Sequence, residues 1–290
     1  MAGSKRRFVD AHVHLWDLDH NDWYQFPQPG PNDFGLGLKE PFPDVFLWKD
    51  YLDTVATVEL AKWVHVTAVT QNKDVEAESA WVAPIAEMAG LPYAIIGSVD
   101  LAHPMKEIEA ELAREMSNPA YRGLRLLGGA DYAAQQTHDL LAHMAKNNLV
   151  YDCVANPGGI ATAARGIARH PDLIVVLEHT GWPTALDDDH FSLWKAEMAE
   201  FAAQPNTICK LSGLGMTVHR NDTAVFRKYF DECIRLWGAS RCMFASNFPV
   251  DLMYGSGADL FAVFEAVASH YSDAEAADLY AGTAERTYRI

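Results

Sequence analysis

Eight short apolar runs, each followed by a stretch with helical spacing, constrain this chain more than any other feature. The runs begin near Phe8, Trp63, Tyr93, Tyr121, Leu149, Leu173, Thr207 and Cys242. Between them, Val75–Met88, His103–Met116, Ala133–Lys146, Ile160–Arg169, Phe191–Ala203, Ala224–Trp237 and Asp259–His270 carry apolar residues three and four apart, as amphipathic helices do. Leu173-Ile174-Val175-Val176-Leu177 lacks the alternation of a half-exposed strand. A run of that kind is covered on both faces, as strands of a parallel sheet are. Eight strand–helix units in succession predict an α/β fold, a (β/α)8 TIM-like barrel, and no linker divides it, so residues 1–290 read as a single domain. An open doubly wound sheet is the alternative. A dinucleotide-binding version of it is weakened because no G-x-G-x-x-G follows the first run.

Composition narrows the function classes. The formal charge is -16, from 23 basic and 39 acidic side chains. Phosphate binding needs clustered Lys and Arg, so nucleic acid and anionic membrane surfaces are disfavoured, and an anionic substrate would need local arginines. No run reaches the roughly 18 apolar residues of a membrane span. Phe8–Trp16 holds Asp10, His12 and His14 and is no signal-peptide core. Cys153, Cys209, Cys233 and Cys242 form no C-x-x-C pair and read as buried thiols. The expectation is a cytoplasmic protein that acts on a small molecule, with no nucleic-acid or membrane partner and with a homo-oligomer left open.

One long irregular stretch, Asp17–Asp50, interrupts the alternation. It holds Trp23, Tyr24, Phe26, Phe34, Phe42, Phe46 and Trp48, an aromatic density foreign to disordered segments. It follows the first strand, so in a barrel it lies over the C-terminal mouth, as a lid, a pocket wall or a packing plug. Trp16, Trp23 and Tyr24 are the expected ligand contacts.

Asp10-Ala11-His12-Val13-His14 is the densest chemical signal. Alternate strand residues share a face, so Asp10, His12 and His14 are expected to point into the barrel, with Val9, Ala11 and Val13 toward the helices. Two imidazoles there can share a metal ion or orient a water, and Asp10 could fix the tautomer of one of them. His179 ends another strand, before Gly181 and Pro183, and would complete a three-histidine cluster. Glu178 has the opposite parity and is expected to face the helices, without a role. Arg125 is placed further toward the mouth than Arg122 and could bind an anionic group or a developing oxyanion, or else pair with Asp10 or Asp152. Gln71 is a weaker orienting candidate at the end of the second strand. Asn247 and Asp251, on and after the last strand, could both reach the mouth.

These motifs stand in a familiar order. Asp10-Ala11-His12-Val13-His14-Leu15-Trp16-Asp17, Arg122-Gly123-Leu124-Arg125, Glu178-His179-Thr180-Gly181-Trp182-Pro183, Lys210-Leu211-Ser212-Gly213-Leu214 and Phe244-Ala245-Ser246-Asn247-Phe248-Pro249-Val250 resemble the amidohydrolase-2 group of the amidohydrolase superfamily, from Phe8 to Tyr288. Within that group the chain is similar to the sugar-lactone and pyrone-dicarboxylate lactonase branch. The resemblance implies a distorted (β/α)8 barrel and hydrolysis of a cyclic ester, and it carries His12, His14 and His179 over as site histidines. It leaves two alternatives, one divalent ion (Zn or Mn) held by those histidines or a metal-free site. The chain departs from the pattern at Asn247, where the family has an aspartate that acts as general base or metal ligand. Asparagine cannot take a proton and is a poor zinc ligand. Asp251 or a histidine is then the base, or hydrolysis is lost. The expected function is a lactonase; a metal-dependent decarboxylase of the same superfamily and a non-catalytic ligand-binding pseudoenzyme are the alternatives.

Overall fold

The computed structural model describes residues 5–31, 33–68 and 75–290. In chain order it comprises β1 (Arg7–Val13), α1 (Trp48–Thr54), β2 (Glu59–Val66), α2 (Val75–Ala89), β3 (Tyr93–Gly97), α3 (Met105–Glu115) and β4 (Tyr121–Arg125). There follow α4 (Gln135–Lys146), β5 (Val150–Cys153), α5 (Ile160–Ile167), β6 (Ile174–Leu177), α6 (Asp188–Ala202), β7 (Thr207–Leu211), α7 (Gly215–Val218) and α8 (Thr223–Trp237). The chain closes with β8 (Cys242–Phe244), α9 (Gly257–Ala268), α10 (Asp273–Ala277) and α11 (Thr283–Tyr288).

The eight strands hydrogen-bond in sequence order, every pair parallel. Residues just beyond β8 close the ring onto β1: Asn247 N donates to His12 O and His14 N to Phe248 O, each at 2.8 Å. This is the expected (β/α)8 barrel. Gly123 is needed where β4 meets β5, since a Cβ there would fall 1.9 Å from the Val150 carbonyl oxygen.

Two apolar sets divide the strands. Val9, Ala11, Val64, Val66, Ala94 and Val176 cluster with one another inside the barrel, and α11 plugs its lower end with Ala284 and Tyr288. Phe8, Val13, Trp63, Ile95, Tyr151 and Leu177 pack outward with helix residues such as Ile108, Leu140 and Phe201.

The parity expected of β1 fails at its middle. Asp10 pairs with Trp63 but Val13 with His65, so β1 advances one residue more than β2. That extra residue is a bulge, which re-aims the side chains after it. Below it Val9 and Ala11 face in, and Asp10 faces out. Asp10 fixes no imidazole: its Oδ2 accepts from Tyr51 on α1 at 2.8 Å, and its Oδ1 accepts from Ser246 N at 2.9 Å and His12 N at 3.2 Å. Above the bulge Val13 faces out and the histidines face in.

The aromatic stretch is a closed excursion. Trp16–Asp17 pairs antiparallel with Val45–Phe46, so its two ends meet, and its last residues form the start of α1. Its rings pack on one another, Trp16 and Phe26 tilted with centroids 4.4 Å apart and Phe26 and Phe42 edge to face at 5.7 Å.

Candidate active site

The loop ends above β1, β4, β6 and β8 gather a polar cluster on the barrel floor. His12 and His14 are buried, their Nε2 atoms 3.1 Å apart and their rings edge to face. His14 Nδ1 lies 2.7 Å from the Val66 carbonyl oxygen, which can only accept. That nitrogen therefore carries the proton, and Nε2 keeps its lone pair.

His179 comes from a tight turn after β6. His179, Thr180 and Gly181 take φ values of 50, 58 and 65°, a left-handed run that costs energy for non-glycine residues and turns the imidazole inward. Its ring lies 4.6 Å from that of His12, and its Nδ1 is 3.0 Å from Ser212 Oγ. Gly213 makes this fit possible, because a Cβ there would sit 2.7 Å from the His179 ring.

Glu178 contradicts the parity expected of it. It follows Ile174 and Val176 on the inner face of β6, and it is the turn after it that brings His179 in as well. Glu178 is buried, with Oε2 3.1 Å from Arg125 Nη1, and it stands 3.5 Å from His12 Nδ1 and 3.6 Å from His179 Nε2. Its Oε1 finds no hydrogen-bond partner among the described residues. Arg125 thus pairs with Glu178 rather than with Asp10 or Asp152, and it also donates to the Thr67 carbonyl. Arg122 points elsewhere, to the Tyr288 carbonyl oxygen at 2.8 Å.

Beneath the histidines lies a charged residue that the sequence reading gave no role. Lys210 on β7 is fully buried, 3.2 Å from His12 Nδ1 and 2.5 Å from Asp152 Oδ2. Tyr288 donates to the same Asp152 at 2.9 Å. The signal was present in the sequence: a lysine inside the apolar run Thr207–Leu211 needs a buried partner, and Asp152 is a carboxylate in an equally apolar run.

Burial, reinforced by Lys210, His179 and His14 around His12 and by Arg125 beside His14, holds the pKa of these two imidazoles well below the usual range. His179 is lowered by burial to about 4, although Glu178 opposes the shift. All three are therefore neutral near pH 7, the form that binds a metal or accepts a proton. Burial alone would raise Glu178, but Arg125, His179 and Lys210 keep it below the ordinary carboxylate value.

Asn247 and Asp251 divide their roles differently from the expectation. Asn247 lies on the wall of a cavity of about 1000 Å³. Asp251 does not; it is buried behind, accepting from Asn247 Nδ2 at 2.6 Å and from Gly215 N at 3.2 Å. Burial pushes its carboxyl up to about 7. Asp251 therefore reaches the mouth only through the amide it holds.

His14, Arg125, His179 and Asn247 form the polar floor of that cavity, and Trp16 is part of its wall. Trp23 and Tyr24 are not. Phe26 and Phe42 present the aromatic face instead, while Tyr24 packs behind Phe26 at 5.4 Å and donates to Glu78 at 3.1 Å. Gln71 lies outside the described residues.

The sequence profile of the amidohydrolase family matches residues 9–290. The chain belongs to the amidohydrolase family. It is a hydrolase by membership. The protein y4mH of Sinorhizobium fredii (strain NBRC 101917 / NGR234) is 28% identical over 97% of this chain and 98% of its own length. The L-fucono-1,5-lactonase of Burkholderia multivorans (strain ATCC 17616 / 249) is 27% identical over 97% of this chain and 96% of its own length. A solved amidohydrolase from Burkholderia multivorans with bound zinc is 25% identical, covers 98% of this chain and 99% of its own, and superposes with a TM-score of 0.81.

The residues fit a divalent cation. His12, Glu178 and His179 bring one ligand atom each within 4.8 Å of the others, and His14 stands beside them with its Nε2 3.1 Å from that of His12. The imidazoles are neutral and the Glu178 Oε1 is unspent, as a nitrogen and oxygen donor set for zinc or manganese requires.

Proposed function

We propose that this hydrolase opens a lactone. The observation that carries the reading is the convergence of His14, His179, Arg125 and Asn247 on the floor of one cavity, with His14 held by Val66 in a single tautomer. A water between His14 and His179 attacks the ring carbonyl, and its proton passes to a neutral imidazole. The oxyanion develops beside the Arg125 guanidinium. Collapse breaks the ring C–O bond, and the imidazolium returns its proton to the departing alkoxide, giving a hydroxy acid. Asn247, its Nδ2 spent on Asp251, presents its amide oxygen to orient the water or the ester. A divalent ion on His12, Glu178 and His179 would supply Lewis-acid polarisation and lower the pKa of water at that spot.

The lactonase name of the Burkholderia multivorans relative supports this reading. The test is proton release across a lactone panel at constant pH, with wild type against His14→Asn and His179→Asn. Turnover that depends on both histidines supports the reading. Inertness of wild type toward every lactone, with and without added zinc or manganese, would overturn it.

A further inference from the structure

The wall of the cavity is more specific than its floor. An aromatic surface runs from His14, stacked on Trp16 with centroids 6.3 Å apart, through Phe26 to Phe42. Leu101, Leu126 and Trp182 continue it on other sides. Phe34, 88% exposed, stands at the edge of the same cavity, an apolar side chain with nothing over it.

Several polar groups on this wall are engaged elsewhere. Ser98 donates to the Arg125 carbonyl oxygen at 2.9 Å, and Asp100 accepts from Ala102 N at 2.9 Å. Asn247 Nδ2 serves Asp251, and the Arg125 charge is balanced by Glu178. Arg125 is the one Lys or Arg side chain on the wall among the described residues.

A hydroxyl-rich ring would set most of its hydroxyls against Trp16, Phe26, Phe42, Leu101 and Leu126, and each polar group buried without a partner is costly. A dicarboxylate would meet one neutralised cation inside a chain of formal charge -16. We propose that the substrate is an uncharged lactone bearing an apolar alkyl or aryl substituent. The ester sits on the His14–His179–Arg125 floor, and the substituent lies against Trp16, Phe26 and Phe42. This rests on the lactone-opening reading and departs from sugar lactones and from dicarboxylated pyrones.

The experiment measures kcat/KM of the full chain for δ-lactones with alkyl tails of increasing length, for glucono-δ-lactone and for a dicarboxylated pyrone. Burial of each tail methylene predicts a rise of about fourfold. Glucono-δ-lactone should fall at least about a hundredfold below the best alkyl lactone. Equal or better turnover of glucono-δ-lactone or of the dicarboxylate overturns the proposal while leaving lactone hydrolysis intact. If no lactone turns over, the hydrolytic reading fails, and quenching of tryptophan fluorescence by the same alkyl lactones decides this one. Affinity that climbs with tail length supports an apolar ligand; affinity independent of it overturns the proposal. Phe26→Ser and Leu126→Asn, which set polar groups into the wall at separate places, should each flatten the gradient to less than about twofold per methylene. A gradient unchanged in both variants overturns it.

Discussion

Asp251→Asn isolates the cost of ionising one buried carboxyl. Asp251 is 1% exposed, and burial raises its pKa from 3.8 to about 7. The folded-state value lies above the unfolded one, so the stability linked to its proton is complete below pH 3.8 and is lost as pH rises through about 7. Between about pH 5 and about pH 8 the wild type should lose about 2–3 kcal/mol that the variant keeps. The amide also disturbs the bonds from Asn247 and Gly215, but that penalty does not change with pH, so the difference between the two pH values reports ionisation alone. For a chain of this size the Tm of Asp251→Asn relative to wild type should climb by roughly 3–5 °C from the acidic to the alkaline condition. Thermal melts of both proteins in buffers matched for ionic strength measure it. A Tm difference constant across that range would show that Asp251 is already ionised at about pH 5, and the account of its burial would be wrong.

Three other perturbations bear on the site itself. His179→Asn should lower kcat/KM at least about a hundredfold while the melting temperature stays within a few degrees; turnover near wild type removes His179 from the chemistry. Glu178→Gln strands the Arg125 guanidinium and should cost about 3–5 kcal/mol in urea unfolding, with zinc affinity falling at least about tenfold; unaltered stability would mean that the ion pair contributes nothing. Asn247→Asp sets a second carboxylate where 2.6 Å now separates amide and acid, so the pair should share one proton and lose stability more steeply than wild type above about pH 7. Higher activity in that variant would show instead that the asparagine stands where a base belongs.

The alternation of apolar runs gave the barrel because it depends on burial at every strand. The strands begin within a residue of the sequence reading except β2, which starts at Glu59, where Glu59-Leu60-Ala61-Lys62 is only partly covered at the open lower edge. Among the C-terminal helices, α10 and α11 have no counterpart in the apolar spacing, although Ser272 and Glu275 form a capping box, a signal present in the sequence. The histidines were legible because each ends an apolar run. Trp23 and Tyr24 are not on the cavity wall, and nothing in a proline-rich excursion says which of its rings faces inward; Trp16, fixed at the end of a strand, is on it.

The errors at Asp10 and Glu178 have one cause, and it explains why the site has the shape it does. Parity arguments assume an unbroken strand, and the active end of this barrel is built from interruptions. On β1 Asp10 faces out to Tyr51, and the bulge after it brings His12 in above Ala11. A left-handed turn after β6 brings His179 in directly after Glu178, so two consecutive residues reach the same centre, which no regular strand permits. Asn247, also left-handed at φ 56°, follows β8 and donates its amide to Asp251. Each interruption sits where a strand meets the cavity, and each is held by bonds below it: Asp10 to Ser246, Ser212 to His179, Gly215 to Asp251. The left-handed turns at His179–Gly181 and at Asn247 stand at the cavity, and the regular strands and the plug of α11 beneath them supply the packing that sustains them.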